Sequence, residues 1–387
     1  MTARALAMAT RPPAADASPD LRHRLLVGVR GHGGEEVYST LLARTAPPGF
    51  TSSVTFDFHR SCGGARSRGG TEVLLNRLVR PWLRFDLGFR VLRVDPSVDL
   101  VHVHSHPTIL RGLGRRPVVC SAGSSHLHYV RDYERWSEEK IAVRYARARR
   151  IYTRLGVVDP LLNHERVTLA YTFSQHARRT YLEHGVPPWK IRVLYPGFDV
   201  PEPAPRPRRP GVTFLFMGRQ PARKGGPDAL AAFARVRTAL PDARLLYLTD
   251  EPPALPIDGV EAGPLVPAAE VPSVFARADV FLSPSRAEGF GMVNCEAHGH
   301  GLPVISSRLG AIPEVVEDGG TGLLALPGDV DALAAAMHRL GADSELRLRM
   351  GRAARARFVE RFTLDGFRAG LAALYEEAFV RAGSGER

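Results

Sequence analysis

Two glutamates, Glu288 and Glu296, bracket the glycine-rich stretch Gly289-Phe-Gly-Met-Val-Asn-Cys295. An apolar run, Val280-Phe-Leu282, leads into it, and helix-forming sequence follows. A helix start leaves backbone N–H groups unpaired, and such groups receive anions or hydroxyls. Glycine lets a ligand approach the main chain closely. Glu296 falls inside the expected helix, where a carboxylate can hold a vicinal diol by accepting two hydrogen bonds.

A second constellation lies upstream, in Phe216-Met-Gly-Arg-Gln-Pro-Ala-Arg-Lys-Gly225. A strand expected over 212–217 ends in Gly218, and Arg219 and Lys224 follow on the loop. A helix is expected to open near Pro227 and Asp228, with Leu230, Phe233, Val236 and Leu240 on one face. Two cations at the carboxyl end of a strand suit a phosphate-rich ligand: arginine grips two oxygens at once and lysine adds a point charge. Arg223, between them, is expected to face solvent.

The elements that must position these residues read as two strand–helix alternations, hence two parallel sheets covered on both faces. The first contains strands expected at Leu25-Leu-Val-Gly-Val29, Val54 to Phe58, Leu100-Val-His-Val-His104 and Pro117-Val-Val-Cys120, with helices over 35–44 and 71–83. A polar loop over 60–70 is long enough to be a lid. The proline- and arginine-rich segment 198–211 cannot form regular helix or sheet and reads as a stiff connector. Alternation restarts at Val212, and 330–380 reads as helices. Residues 1–20, rich in alanine and proline, read as a disordered tail rather than a signal peptide.

Together these motifs resemble glycosyltransferase family 4, the retaining nucleotide-sugar transferases of GT-B fold. The resemblance continues through Pro303-Val-Ile-Ser306, Gly310-Ala-Ile-Pro-Glu-Val-Val316 and Gly319-Gly-Thr-Gly-Leu-Leu324, and is densest over 212–330. In the first half it rests on Gly33-Gly34-Glu35, Asp99-Leu-Val-His-Val-His104, Phe173-Ser-Gln-His176 and Val193-Leu-Tyr-Pro-Gly-Phe-Asp199. It implies an α/β fold of two Rossmann-like domains facing across a cleft: an acceptor-binding domain over 21–197, the connector 198–211 and a donor-binding domain over 212–363. It also implies that residues 364–387 form a helix crossing back to the first domain.

Function follows from the same resemblance. Glu296 is expected on the ribose hydroxyls and Glu288 at the donor sugar. The backbone N–H groups of Phe290, Gly291 and Met292 are expected on sugar hydroxyls, and Gly33 and Gly34 with Gly218 beside the donor phosphate. Arg219 and Lys224 would stabilise charge on the leaving pyrophosphate without a metal. The family's histidine after the strand at Pro117-Val-Val-Cys-Ser-Ala122 is replaced by Gly123, and His126, three residues later, is the candidate to supply an imidazole there, with His128 two residues further on. Where the family has two glycines this chain has Gly310-Ala311, which would tighten the sugar pocket.

Composition bounds the alternatives. The chain has 387 residues, 44% hydrophobic, with 37 glycines, as expected of a globular α/β protein. Lysine and arginine number 52 against 40 aspartates and glutamates, a net charge of +12, and the arginine excess fits a GC-rich genome as well as it fits anionic partners. No nucleic-acid motif is present. Cys62, Cys120 and Cys295 are too scattered for a disulfide framework or zinc site, so a reducing cytoplasm is the expected compartment. No cofactor is expected beyond the nucleotide-sugar co-substrate. A soluble small-molecule acceptor is favoured over a membrane-bound one. The segment Lys140 to Arg154 is basic, but Arg147, Arg149 and Arg150 do not share one helix face. A non-hydrolysing nucleotide-sugar epimerase and an inactive nucleotide-sugar-binding protein stay open as alternatives.

Overall fold

The computed structural model describes residues 23–29, 46–57, 90–104, 107–123, 127, 130–131, 135–203, 210–253 and 256–384. Gly33, Gly34, His126 and His128, the tail 1–20, the helices expected over 35–44 and 71–83 and the loop 60–70 lie outside the described residues.

The first half is built on β1 (His23–Val29), β2 (Phe50–Asp57), β4 (Leu100–His104), β6 (Val118–Ala122), β8 (Leu169–Thr172) and β9 (Ile191–Val193). They form one parallel sheet in the order β2-β1-β4-β6-β8-β9. A small sheet of β3 (Arg90–Arg93), β5 (Thr108–Arg111) and β7 (Val157–Val158) accompanies it. The second half holds β10 (Thr213–Gly218), β11 (Arg244–Thr249), β12 (Val260–Gly263), β13 (Val280–Ser283), β14 (Val304–Ser307) and β15 (Gly322–Ala325). This sheet is also parallel, in the order β12-β11-β10-β13-β14-β15. Strands of sheets covered on both faces are buried on both sides, as β4, β6, β8, β13 and β14 are throughout their lengths.

Burial on both faces makes the two histidines of β4 a problem for the sheet, because an imidazole needs partners when it leaves water. They are solved as a chain. Tyr375 Oη lies 2.7 Å from His102 Nδ1, His102 Nε2 lies 2.7 Å from Ser121 Oγ, and Ser121 Oγ lies 2.7 Å from His104 Nδ1. Burial pushes both imidazoles down to about 3, for His102 with help from neighbouring His104, so both are neutral at physiological pH.

Among the described residues the α-helices are α1 (Glu138–Leu155), α2 (Gln175–Glu183), α3 (Pro221–Lys224), α4 (Gly226–Ala239), α5 (Val271–Ala276), α6 (Met292–Gly299), α7 (Ile312–Val315), α8 (Val330–Ala342), α9 (Ser344–Arg361) and α10 (Leu364–Ser384). Ser137 caps α1 by accepting from Lys140 N–H, and Gly156 ends it at φ 64°. Its core face is Ile141, Ala148 and Tyr152. Opposite them Lys140, Arg147, Arg150 and Arg154, successively seven, three and four residues apart, share one exposed arc with Val143. Arg149 lies off that arc, so the basic residues are less dispersed than the sequence pattern implies.

Helix α10 leaves the second half and packs on the first sheet. Tyr375 stands edge-on to Phe50 with centroids 5.2 Å apart, and Phe379 stacks on His23 at 4.3 Å. Arg192 Nη2 donates to Glu377 at 2.5 Å. The two crossings of the chain run side by side: Phe198 N–H donates to Phe362 O at 2.8 Å, and Leu364 N–H donates to Phe198 O at 3.0 Å. Gly197 is needed there, because a Cβ would lie 2.5 Å from that of Phe367.

Candidate active site

In an open parallel sheet, ligands bind beyond the carboxyl ends of the strands where the strand order reverses. In the second sheet that point lies between β10 and β13, which pair directly through Phe214–Val280 to Phe216–Leu282. The two loops that leave these strands are the two constellations found in the sequence.

The loop after β10 turns at Gln220, a non-glycine residue held at φ 56°. Its N–H donates to Asp250 Oδ1 at 2.9 Å, and its carbonyl accepts from Arg223 and Lys224 N–H, both at 3.0 Å. The short helix α3 follows, which the sequence pattern did not show. It breaks at Gly225 (φ 73°), where an added Cβ would stand 1.9 Å from Pro284 O. The loops from β10 and β13 therefore touch backbone to backbone, and only glycine fits between them.

Several bonds stitch this contact. Arg223 Nε donates to Gln220 Oε1 at 2.7 Å and Nη1 to Ala287 O at 3.0 Å. Arg223 is thus a strut between loops, not the solvent-facing residue expected. Arg286 N–H donates to Arg223 O at 2.9 Å, while its guanidinium grips buried Asp228 through Nε and Nη2 at 2.9 and 2.7 Å. Such forked contacts fix orientation as well as charge.

Inside this frame Lys224 Nζ forms an ion pair with Glu288, both largely shielded from solvent. The sequence reading gave these residues separate partners; the fold brings them together. Burial alone would raise the Glu288 carboxyl, yet the charge and hydrogen bond of Lys224, with Arg223 behind it, hold it below its ordinary value. Arg219, one residue beyond Gly218, is exposed and has no hydrogen bond or ion pair among the described residues, which leaves its guanidinium available to a ligand.

The loop after β13 ends at Gly291, held at φ 83° as the cap of α6. The N–H groups of Phe290, Gly291 and Met292 have no acceptor among the described residues. The Phe290 ring is buried among Phe173, Tyr195 and Phe362 at centroid distances of 6.4, 6.1 and 6.4 Å, so only its backbone can meet a ligand. Glu296, a turn further along α6, is half-buried and accepts from no donor among the described residues. Burial pushes its carboxyl up to about 7. Gly310 (φ 56°) backs the same loop, since a Cβ there would meet Glu288 O at 2.8 Å. Ala311 has an ordinary φ of −89° and its methyl lies in the core, so no second glycine is required by the backbone. Among the described residues no group of His, Cys, Asp and Glu could hold a metal ion.

Two residues that the sequence reading assigned no role stand at the edge of the site. Glu314, from the Gly310-to-Val316 motif, and Tyr195, from the Val193-to-Asp199 motif, are hydrogen-bonded to each other at 3.0 Å. Only their membership of those motifs marked them.

Two parallel-sheet α/β domains, with a cationic loop and a glycine-turned helix start at the strand-order reversal of the second, define the GT-B glycosyltransferase architecture. HepE from Anabaena, solved in complex with UDP and glucose, shares this fold with a TM-score of 0.63 at 17% identity, over 92% of this chain and 100% of that one. The chain belongs to glycosyltransferase family 4: the family model described as Glycosyltransferase Family 4 matches residues 36–202, and that of Glycosyl transferases group 1 matches 211–343. The glycogen synthase of Mycobacterium tuberculosis is 32% identical over 219 residues, 51% of this chain and 50% of that protein. A GDP-mannose-dependent alpha-(1-6)-phosphatidylinositol monomannoside mannosyltransferase of Mycolicibacterium smegmatis is 32% identical over 277 residues, 64% of this chain and 66% of that protein. The chain spans about half the length of the first of these relatives.

Proposed function

We propose that this protein transfers a sugar, with retention, from a nucleotide-sugar donor, a UDP-sugar by preference, to a hydroxyl of a small-molecule acceptor such as a bacterial secondary metabolite. The observation that carries the reading is the set of uncommitted groups at the switch point of the second sheet. The Glu296 carboxylate would take the ribose diol, and the amides of Phe290, Gly291 and Met292 would take sugar hydroxyls. Arg219 would stabilise the pyrophosphate as the anomeric bond breaks, where charge develops. Lys224 would work from its pair with Glu288, keeping that carboxylate ionised beside the sugar while adding positive potential at the phosphate. Same-face attack by the acceptor hydroxyl, assisted by the departing phosphate, accounts for retention. The arginine- and alanine-rich composition is of the kind a GC-rich bacterial genome encodes, and sugar-decorated metabolites are common in such bacteria, which favours this acceptor class.

A panel of nucleoside diphosphates tests the donor reading, because a ligand that binds only the folded state raises Tm, by about 2.7 kcal/mol of stability at a hundred times Kd. UDP should raise it and Glu296→Gln should lose most of the rise; no shift with any nucleotide would sink the reading. A lipid-linked acceptor is the second reading, favoured by the exposed arc of Lys140, Arg147, Arg150 and Arg154 around Val143 on α1. Salt-sensitive co-sedimentation with anionic vesicles, lost on neutralising Arg147 and Arg150, would establish it over the first.

A further inference from the structure

We infer that Glu314 is a positioning residue that latches the second domain onto the first and thereby sets the donor loop. Its carboxylate reaches out of the short turn α7 to the start of α2 in the other domain. Oε2 accepts from Gln175 N–H at 2.8 Å and Oε1 from His176 N–H at 2.7 Å. These are the first two amides of a nine-residue helix whose cap, Ser174, is occupied with Ala177 N–H at 2.9 Å. The helix itself cannot pair them, and its dipole favours a negative charge at this end. Tyr195 completes the latch: its hydroxyl donates to Glu314 Oε2 at 3.0 Å and accepts from Arg361 Nη2 at 3.3 Å, with the Arg361 guanidinium 4.8 Å from its ring. Burial, then the Glu314 charge, raises the Tyr195 hydroxyl, so it stays a donor.

The latch leads directly to the donor loop. The turn that carries Glu314 begins at Gly310, which lies against the Glu288 carbonyl. One residue before Ser174, Phe173 packs on Phe290. The segment Phe173 to His176 therefore touches the donor site twice, through the ring of Phe290 and the carboxylate of Glu314. Moving the first domain away would pull on both. The aromatic contact is apolar and tolerates sliding, whereas three directed hydrogen bonds to one carboxylate fix a single relative placement.

The kinetic part of the test rests on the glycosyltransferase reading; the conformational part does not. Spin labels on Arg149→Cys in α1 and Arg352→Cys in α9, both exposed positions, report the distance between domains without any substrate. Glu314→Ala should broaden and lengthen the distance distribution. Gln175→Pro is the sharper variant. Proline is well accepted at the first helical position, and Ser174 at φ −156° and ψ 157° is already in the backbone region a following proline requires. It deletes one donor to Glu314 while leaving the side-chain inventory of the latch intact. With a UDP-sugar, kcat/KM should fall roughly tenfold in Glu314→Ala, while UDP affinity, for which Glu296 and Arg219 of the second domain are the proposed main contacts, stays within about twofold of wild type. Wild-type distance distributions in Gln175→Pro and in folded Glu314→Ala would overturn the latch. Absence of UDP binding to the wild type would instead count against the donor reading and leave the distance result standing.

Discussion

Replacing Glu296 with glutamine should stabilise the empty protein and cripple nucleotide binding, and the size of the first effect should depend on pH. The Glu296 carboxyl is raised by burial from 4.5 to about 7. The folded protein therefore holds a proton that the unfolded chain releases, and stability falls as pH rises from about 4.5 through 7. Above that window the native state carries the full penalty, at most about 3.5 kcal/mol at about 1.4 kcal/mol per pH unit. Glutamine has nearly the same shape and no charge to desolvate. Glu296→Gln should thus gain about 5–10 °C in Tm at about pH 8 and nothing at about pH 4. UDP titrations should show the converse. If the ionised carboxylate accepts the ribose hydroxyls, wild-type affinity should weaken about tenfold from pH 8 to pH 6, as the ionised fraction drops from about nine-tenths to about one-tenth. The variant should bind more weakly with no such slope. Differential scanning calorimetry across pH and isothermal titration provide both readouts. Equal Tm gains at both pH values, or a pH-independent wild-type affinity, would refute the argument.

Arg219→Ala should leave Tm within about 1 °C of wild type, since the side chain is exposed, yet lower kcat by one to two orders of magnitude in a UDP-sugar transfer assay. Lys224→Met strands the buried Glu288 carboxylate and should cost about 3 kcal/mol in urea denaturation, with Glu288→Gln in the same chain recovering much of it. Because Lys224 holds Glu288 below 4.5, that contribution should stand at neutral pH and fade only as acid protonates the pair. Gly225→Ala drives a methyl into the Pro284 carbonyl and forces a left-handed backbone on alanine, so expression as soluble protein should fall sharply. Transfer activity should survive excess EDTA, because Arg219 and Lys224 supply the positive charge at the pyrophosphate; loss restored by magnesium or manganese would show otherwise.

The parts of this molecule legible in its sequence are those whose cause is local. Apolar runs such as Val280-Phe-Leu282 and Phe214-Leu-Phe216 identified the buried strands, and glycines after them marked the loops that carry the candidate site. Composition could not reveal that Gly225 is required by the carbonyl of Pro284, because that contact joins loops from strands adjacent in space and distant in chain. The Lys224–Glu288 pair was hidden for the same reason, as was the strut role of Arg223. Helix α3 is four residues long, too short for any periodicity. The strands β3, β5 and β7 are two to four residues long and exist only by pairing with one another. Glu314 and Tyr195 sit inside motifs legible in the sequence, but Glu314 bonds main-chain amides of the other domain and Tyr195 bonds the side chains of Glu314 and Arg361, distant partners that no local pattern announces.

The return of α10 onto the first sheet has a consequence for how the chain is made. Phe367, Leu371, Leu374 and Tyr375 share a continuous apolar core with Leu25, Phe50, Leu100 and Tyr171. A ribosome adding about 5–20 residues per second reaches Tyr375 tens of seconds after β1 has emerged. Throughout that interval the nascent first domain lacks one wall, and the imidazole of His102 lacks its phenol. The second domain, whose sheet is contiguous in the chain, can close first. Order of synthesis and order of completion are thereby reversed, and the amino-terminal half is the natural client for a holding chaperone until the last helix arrives.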